Sequence, residues 1–443
     1  MKKPEPPPNG KIQTKERKAL FELLKNQEEI TKLFEVEKSY PYWETFKHRV
    51  KNFKTDPKLL WKFVKLQRER TVSTIQISEI QGFSFKYNIS KNTMERLHLF
   101  DLNLGGSIGG PIIPKNDKDR FLISSLMEEA IASSQLEGAI TTREVAKAML
   151  RAKRKPKNHS ERMILNNYAT IKEILTLKKE KLTPGIIKHI HGLITKGTLE
   201  NPKNEGKFRE TDTIKVVDNV TGEVFYDPPT FEDVENLMNS FCGFADPEKE
   251  NEFMHPIIKG TILHFLIGYI HPFVDGNGRT ARAIFYWYLI SQGYWLVEFL
   301  SISRIIVKSP SQYARAYLYT EHDENDLTYF IDFNLKSMEL ALIDLKEYIN
   351  RKITKKKNLF KIIKNEEVNE RQAEIIKNLI EEPEAILSIN EIQSKFGVSY
   401  QTARTDLMGL ENKGYLTSKT MGKKFIYFKA ADFEVKIKSM LFT

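Results

Sequence analysis

The stretch His271-Pro272-Phe273-Val274-Asp275-Gly276-Asn277-Gly278-Arg279-Thr280-Ala281-Arg282 decides how the rest of this 443-residue chain is read. An apolar run of helical length, Ile262 to Ile270, leads into it, and another, Ala283 to Ile290, leads out. Helices that apolar are buried on every side, so the pattern predicts a polar loop pinned between two central helices. Gly276-Asn277-Gly278 can take backbone conformations closed to most residues with a Cβ, and so turn successive N–H groups toward one point. The next helix, beginning near Gly278, adds unpaired first-turn N–H groups and a positive dipole end. Arg279 and Arg282 are three residues apart and share a face near that first turn. Two guanidinium groups beside a backbone nest suit a polyphosphate better than a single carboxylate. Asp275 stands at the lip of the nest, and a carboxylate beside phosphates is the usual protein share of a Mg²⁺ site. His271 lies just upstream, where a neutral imidazole can take a proton from a hydroxyl near pH 7. Alone, each part reads as a turn, a loop histidine or a solvated arginine. Together they predict nucleotidyl or phosphoryl transfer from a Mg²⁺–nucleotide to a hydroxyl.

The same stretch resembles the signature of the Fic family, His-Pro-Phe-x-(Asp/Glu)-Gly-Asn-Gly-Arg-x-x-Arg, and matches it at every specified position. The surroundings are similar too: Met254-His255-Pro256 and the helix through His264 upstream, and earlier Gly206-Lys207-Phe208-Arg209, Asp212 to Val217 and Tyr226-Asp227-Pro228-Pro229. The resemblance implies a mainly α, Fic-type helical bundle with a β-hairpin flap, and transfer of AMP from ATP to a Ser, Thr or Tyr hydroxyl of a target protein, self-modification included. It implies that His271 deprotonates the hydroxyl and that Asp275 holds Mg²⁺. Gly276, Asn277 and Gly278 would form the anion hole with help from Arg279, and Arg282 would meet the γ-phosphate. Thr213, Ile214, Lys215 and Val216 would clamp the target by strand addition. Gln312, Tyr313 and Thr320 would fall near the adenine. Homodimers among relatives extend the expectation to a homodimer here.

Ser133-Ser134-Gln135-Leu136-Glu137-Gly138 resembles the family's inhibitory motif, (Ser/Thr)-x-x-x-Glu-(Gly/Asn). Locally it reads as the end of a helix from about Phe121 to Glu137, closed by Gly138, with Thr141 and Glu144 as the capping box of the next helix. The motif implies that Glu137 supplies the anion that Arg282 needs and so keeps ATP from its productive pose. Since the motif precedes the signature, inhibition would act within one chain. In some relatives the same glutamate also positions water, which leaves AMP removal open as a reverse reaction.

Composition frames these readings. The chain carries 69 basic and 58 acidic residues, a formal net charge of +11, with the excess clustered at Arg151 to Lys157 and Arg351 to Lys364. Apolar runs are broken well short of the ~20 residues a membrane span requires. A single cysteine, Cys242, excludes an internal disulfide, and with no visible signal peptide the expectation is a cytoplasmic protein with no membrane partner. Cys242 sits beside Phe241 and Phe244 and reads as a buried thiol. The pattern divides into a leader and helical segment over 1–57, whose Pro-rich start reads as disordered, and a helical region with the inhibitory motif over 58–157. A catalytic core over 158–350, a basic linker over 351–369 and a last domain over 370–443 follow. The glycine-rich run Gly105 to Pro111 lacks the strand and lysine of a phosphate loop and reads as a turn.

From about 370 the pattern becomes a helix at Arg371 to Ile380, a short helix to Phe396 capped by Ser388 and Glu391, a turn at Gly397-Val398-Ser399 and a helix at Tyr400 to Asn412. Two strands around Met421-Gly422-Lys423 follow. This resembles the winged helix-turn-helix domains of bacterial regulators. Gln401, Thr402, Arg404 and Thr405 would face outward on the recognition helix, Lys423 and Lys424 would sit in the wing, and double-stranded DNA would be the partner. Asp406 and Glu411 would dilute that positive face. Two functional readings therefore stand beside adenylyl transfer: a DNA-binding regulator whose core senses a nucleotide, and transfer from a nucleotide other than ATP.

Overall fold

The computed structural model describes residues 2–8, 12–105, 118–217, 222–250, 252–366, 368–381, 385–421 and 424–441, with the backbone alone at 15, 118–120, 355–366, 381, 421, 424 and 438–441. Most of the run 105–111, the turn at Gly422-Lys423, the Lys424 side chain and most side chains of the basic segment 351–364 lie outside this description. The fold is mainly α, and the chain divides into two compact units, residues 1–345 and 346–443.

The first unit is built around the two helices that flank the signature, Pro256–Ile270 and Asn277–Ser291. Nearly every residue of both is buried, as all-round apolar helices require. The helices Lys118–Leu136, His159–Thr176 and Pro184–Thr195 pack against Asn277–Ser291, and Phe231–Ala245 packs against Pro256–Ile270. Thr183 caps Pro184–Thr195 through the Ile186 amide, with proline in the first turn, a position where its missing N–H costs nothing. Within 158–350 the described strands are the flap hairpin, Val216–Val217 paired antiparallel with Val224–Tyr226. Burial pushes the Cys242 thiol up to about 12, so it stays an unreactive core group.

Several expectations are corrected in this unit. Ser73–Gln76 and Ser84–Tyr87 form a second antiparallel hairpin. Its buried Phe85 sets its ring edge-on to Phe265 and Tyr269 of the central helix. The Pro-rich start is ordered over residues 2–8: Pro4 and Pro7 are buried, Tyr42 donates to the Glu5 carbonyl and Trp43 to its carboxylate, both at 2.9 Å. Prolines have little backbone freedom to lose, so docking this short segment costs little entropy. The cap of helix Arg143–Arg151 is Thr142, whose hydroxyl faces the Val145 amide. Thr141 is buried, and its carbonyl receives the Gln135 side chain instead.

In the second unit the helices Glu370–Glu381, Ile389–Phe396 and Tyr400–Asn412 enclose an apolar core with Leu379, Ile392, Leu407, Leu410 and Tyr415. Ser388 and Ser399 cap the second and third helices, and Gly397 closes the second in the left-handed conformation. Strands Leu416–Met421 and Lys424–Lys429 pair as a wing. Two elements escape the sequence pattern: a short strand, Leu387–Ser388, on the other edge of Lys424–Lys429, and a terminal helix, Phe433–Leu441, whose Phe433 and Ile437 enter the core. Asp406 does not dilute the outer face. It is buried, and Asn369 and Arg371 donate to its carboxylate. Glu411 is likewise turned to the Ser418 amide.

Candidate active site

The loop His271–Gly276 is held shut by its own residues. Asn277 accepts the Phe273 amide on Oδ1 at 3.0 Å and returns its Nδ2–H to the Phe273 carbonyl at 2.8 Å. Gly276 caps the following helix at φ 81°, a left-handed conformation that a Cβ would strain, and a Cβ there would also press on Thr195 and His191. His271 closes the preceding helix and is itself left-handed, at φ 50° and ψ 56°, which is uncommon outside glycine and marks a constrained position. Its Nδ1 lies 3.2 Å from the Gly268 carbonyl. A carbonyl can only accept, so Nδ1 carries the proton and Nε2 keeps its lone pair. Burial lowers the His271 pKa below the ordinary imidazole range, so the ring is neutral at pH 7.

Both predicted arginines are buried, with 1% and 3% exposure at Arg279 and Arg282. Arg282 donates from Nε to the Ser133 hydroxyl at 2.8 Å, and from Nη2 to the Ser133 carbonyl and to Glu137 Oε1, each at 2.9 Å. Burial alone would lower the Arg282 pKa, but the adjacent Glu137 carboxylate raises it above its usual value. A Cβ on Gly278 would collide with that same Oε1. The Glu137 carboxylate therefore rests at the N-terminal end of helix Asn277–Ser291, where first-turn N–H groups favour an anion. Among the described residues Arg279 reaches only to Asp275 Oδ2 at 3.4 Å and to the Ile194 carbonyl at 3.5 Å. Its Nε and Arg282 Nη1 are buried without a hydrogen-bond partner among the described residues. Unsatisfied buried donors are costly, and these two mark a place built for further acceptor oxygens.

Glu129, one and two helical turns before Ser133 and Glu137, extends the same face. It is buried, burial raises its pKa, and it accepts from the Ser303 amide and hydroxyl and from Ser301. The helix Lys118–Leu136 is thus fixed to the core through Glu129 as well as through Ser133.

Asp275 has a 58% exposed side chain, and its Oδ1 accepts the Gly276 amide at 2.6 Å. Among the described residues no group of three or more His, Cys, Asp or Glu could hold a metal. A lone exposed carboxylate fits a Mg²⁺ that takes its other ligands from phosphate and water.

Two residues at this site have no role assigned by the sequence reading. Arg209 is buried and donates to the carbonyls of His271, Thr211 and Pro229 and to Asp212, while its amide donates to the Pro272 carbonyl at 2.8 Å. It ties the base of the flap to the loop. His191 is fully buried, stacks on Phe273 with ring centroids 3.7 Å apart, and joins Gly206 to Asp275. Burial drops its pKa to about 4 and keeps it neutral. Only the histidine-rich run His189-Ile190-His191 within an amphipathic helix could have hinted at it.

The flap residues stand apart from these contacts. Thr213 is exposed, Val216 pairs with Tyr226, and Lys215 forms an ion pair with Asp227 at 2.9 Å. The Tyr313 hydroxyl meets His264 Nε2 at 2.8 Å, next to Arg282. Gln312 is exposed, and Thr320 is fully buried with its hydroxyl returned to the Ala316 carbonyl. In the second unit Gln401, Arg404 and Thr405 are exposed on Tyr400–Asn412, and Thr402 is half-buried.

Residues 181–289 match the Fic/DOC family model, and residues 371–423 match an HTH domain model. A protein adenylyltransferase Fic from Nematostella vectensis is 31% identical over 181 residues, 40% of this chain and 40% of its own length. One from Culex quinquefasciatus is 30% identical over 129 residues, 29% of this chain and 21% of its own length. The chain thus spans less than half the length of these curated relatives. Among solved structures, a Fic family protein from Desulfovibrio desulfuricans G20 shares the fold with a TM-score of 0.50 at 19% identity, covering 77% of this chain and 95% of that one. Residues 134–508 of Fic-1 from C. elegans share it with a TM-score of 0.50 at 14% identity, covering 76% and 87%. No helix among the described residues is long and apolar enough to cross a membrane.

Proposed function

From a chain that carries a Fic domain followed by a helix-turn-helix domain, we propose a protein adenylyltransferase, restrained by its own Glu137, that moves AMP from Mg²⁺–ATP to a Ser, Thr or Tyr hydroxyl of a protein. The observation that carries the reading is the company Arg282 keeps. A buried guanidinium, already holding the Ser133 backbone and hydroxyl, takes as its ion-pair partner a carboxylate that is 26% exposed and rests on a helix N-terminus. A γ-phosphate offers the same charge and more acceptor oxygens, so the two anions compete for one position.

With Glu137 displaced, Arg279 and Arg282 face the polyphosphate with their unpaired donors, Nε and Nη1. The target hydroxyl oxygen attacks the α-phosphorus while its proton passes to His271 Nε2. The bond from that phosphorus to the bridging oxygen breaks, and pyrophosphate leaves with the electron pair. Bound Mg²⁺ would neutralise developing charge on the phosphates, and Asp275 is the residue fitted to hold it. Arg209 keeps the flap base, and with it a target segment added as a strand along Thr213 to Val216, in register with the His271 backbone.

The test is transfer of label from α-labelled ATP, first by the Glu137→Gly chain and then by the same chain carrying His271→Ala. Label on protein from the first and none from the second is expected. Equal incorporation by both would remove His271 as the base, and label only from another nucleoside triphosphate would replace ATP as donor. Restoring Glu137 to a pre-labelled sample tests AMP removal.

The second unit supports a further reading, duplex DNA binding, through the exposed Gln401, Arg404 and Thr405 on a helix stiffened by its Ser399 cap. Phosphate contacts of this kind weaken steeply with salt, so salt-dependent retention of a duplex by the full chain, reduced by Arg404→Ala, is the expected result.

A further inference from the structure

His191 lies in the helix Pro184–Thr195, distant in sequence from the signature, yet one ring nitrogen is engaged at the catalytic loop and the other at Gly206. The Gly206 amide reaches Nδ1 at 3.0 Å. An amide N–H can only donate, so Nδ1 is the acceptor and the ring proton sits on Nε2. Nε2 lies 2.9 Å from the Asp275 carbonyl, which can only accept. The tautomer and both bonds follow without choice. Stacking on Phe273 at an interplanar angle of 2° fixes the ring plane.

A trans peptide points its C=O and the next N–H in opposite directions. A donor on the Asp275 carbonyl therefore commits the Gly276 N–H to the other side, and that N–H is the one 2.6 Å from Asp275 Oδ1. Gly276 carries no Cβ to oppose rotation of this peptide. We infer that His191 is the positioning residue of the loop: by holding the Asp275 carbonyl it locks the Asp275–Gly276 peptide, and so sets the carboxylate that is to carry the divalent cation. Its other nitrogen couples that lock to Gly206, at the start of the segment leading to Arg209 and the flap. The inference rests on the adenylyltransferase reading for the cation and nucleotide, but the lock itself is a feature of this chain's own bonds.

Two substitutions separate the nitrogens. In His191→Gln the side-chain amide reaches the Nε2 position and can still donate to Asp275. In His191→Asn it reaches only the Nδ1 position and can still accept from Gly206. The measurement is Mn²⁺ binding, followed by electron paramagnetic resonance, to the Glu137→Gly chain with ATP present, alongside thermal melting. Partners that orient a metal ligand are worth about 10- to 100-fold in metal affinity. A loss of that size is expected in His191→Asn, near-parental binding in His191→Gln, and similar melting temperatures in both. Equal affinity in the two variants, or losses that track melting temperature, would overturn the lock. If the parent itself binds Mn²⁺ no better than its Asp275→Ala form, the adenylyltransferase reading falls, and the inference with it.

Discussion

Each unit of this protein holds one arginine–carboxylate pair near its centre of interest, and the two are built in opposite senses. In the first unit the arginine is the buried member: the Arg282 side chain is 4% exposed and that of Glu137 26%. In the second the carboxylate is buried, with Asp406 3% exposed and Arg371 36%. The member nearer solvent is the replaceable one. Asp406 is enclosed by Asn369 and by the Gln372 side chain on its backbone carbonyl, so its pair holds helices together. Arg282 is anchored by Ser133 on one side and shows its carboxylate toward the anion nest, so its pair can be exchanged. On the proposed function, the same ion-pair chemistry is structural in one place and gating in the other, and burial order makes the difference.

The sharpest way to break this contrast is Glu137→Gly. Freeing a buried arginine from a carboxylate shifts a competing anion by a few kcal/mol, so label transfer from ATP should rise on the order of 100-fold. An unchanged rate would show that Glu137 gates nothing. Arg371→Ala is the counterpart. It leaves Asp406 buried without its ion-pair partner, and should lower the melting temperature of the second unit while transfer in the Glu137→Gly background is unaltered. A change in transfer would mean that the structural pair also gates.

A smaller effect follows from two imidazoles buried near the first pair. Burial holds His191 at about 4 and His264 at about 3. Both folded values lie below the unfolded one, so unfolding takes up protons below about 6.5, and stability is present above that pH and lost as pH falls. The slope is roughly 1.4 kcal/mol per pH unit for each ring between about 6 and 4. Melting of the full chain between pH 7 and pH 5 should show it in the first unit, and His264→Asn should make it shallower. The smallest change expected is Ser399→Ala: losing the cap on Tyr400–Asn412 should cost about 1 kcal/mol, confined to the second unit and read from its melting alone.

Much of this was legible from local rules. The loop between two buried helices follows from apolar runs flanking Asp275-Gly276-Asn277-Gly278, and the caps at Thr183 and Ser388 follow from hydroxyl residues placed before helical runs, whereas Ser399 reads as part of a turn and proves to cap the next helix as well. Errors fell where two local solutions were equally good. Thr141 and Thr142 are chemically alike, and tertiary burial of the first gave the cap to the second. Asp406 sits in a helix whose polar residues seemed free to face outward, until Asn369 and Arg371 claimed it. The Phe85 hairpin and the Leu387–Ser388 strand are short segments whose pairing is fixed by what they cover, not by their own propensity.

The sequence by itself determined the elements that depend on neighbours within a turn or two: the buried helices, their caps, the glycine nest and the spacing of Arg279 and Arg282. Only the tertiary structure decided that Arg282 is also held by the Ser133 hydroxyl and carbonyl, and that His191 and Arg209 hold the loop. Those contacts join residues 62 to 149 positions apart. Hydrogen-bond direction and burial at such sites are set by packing between helices, which no short-range pattern encodes.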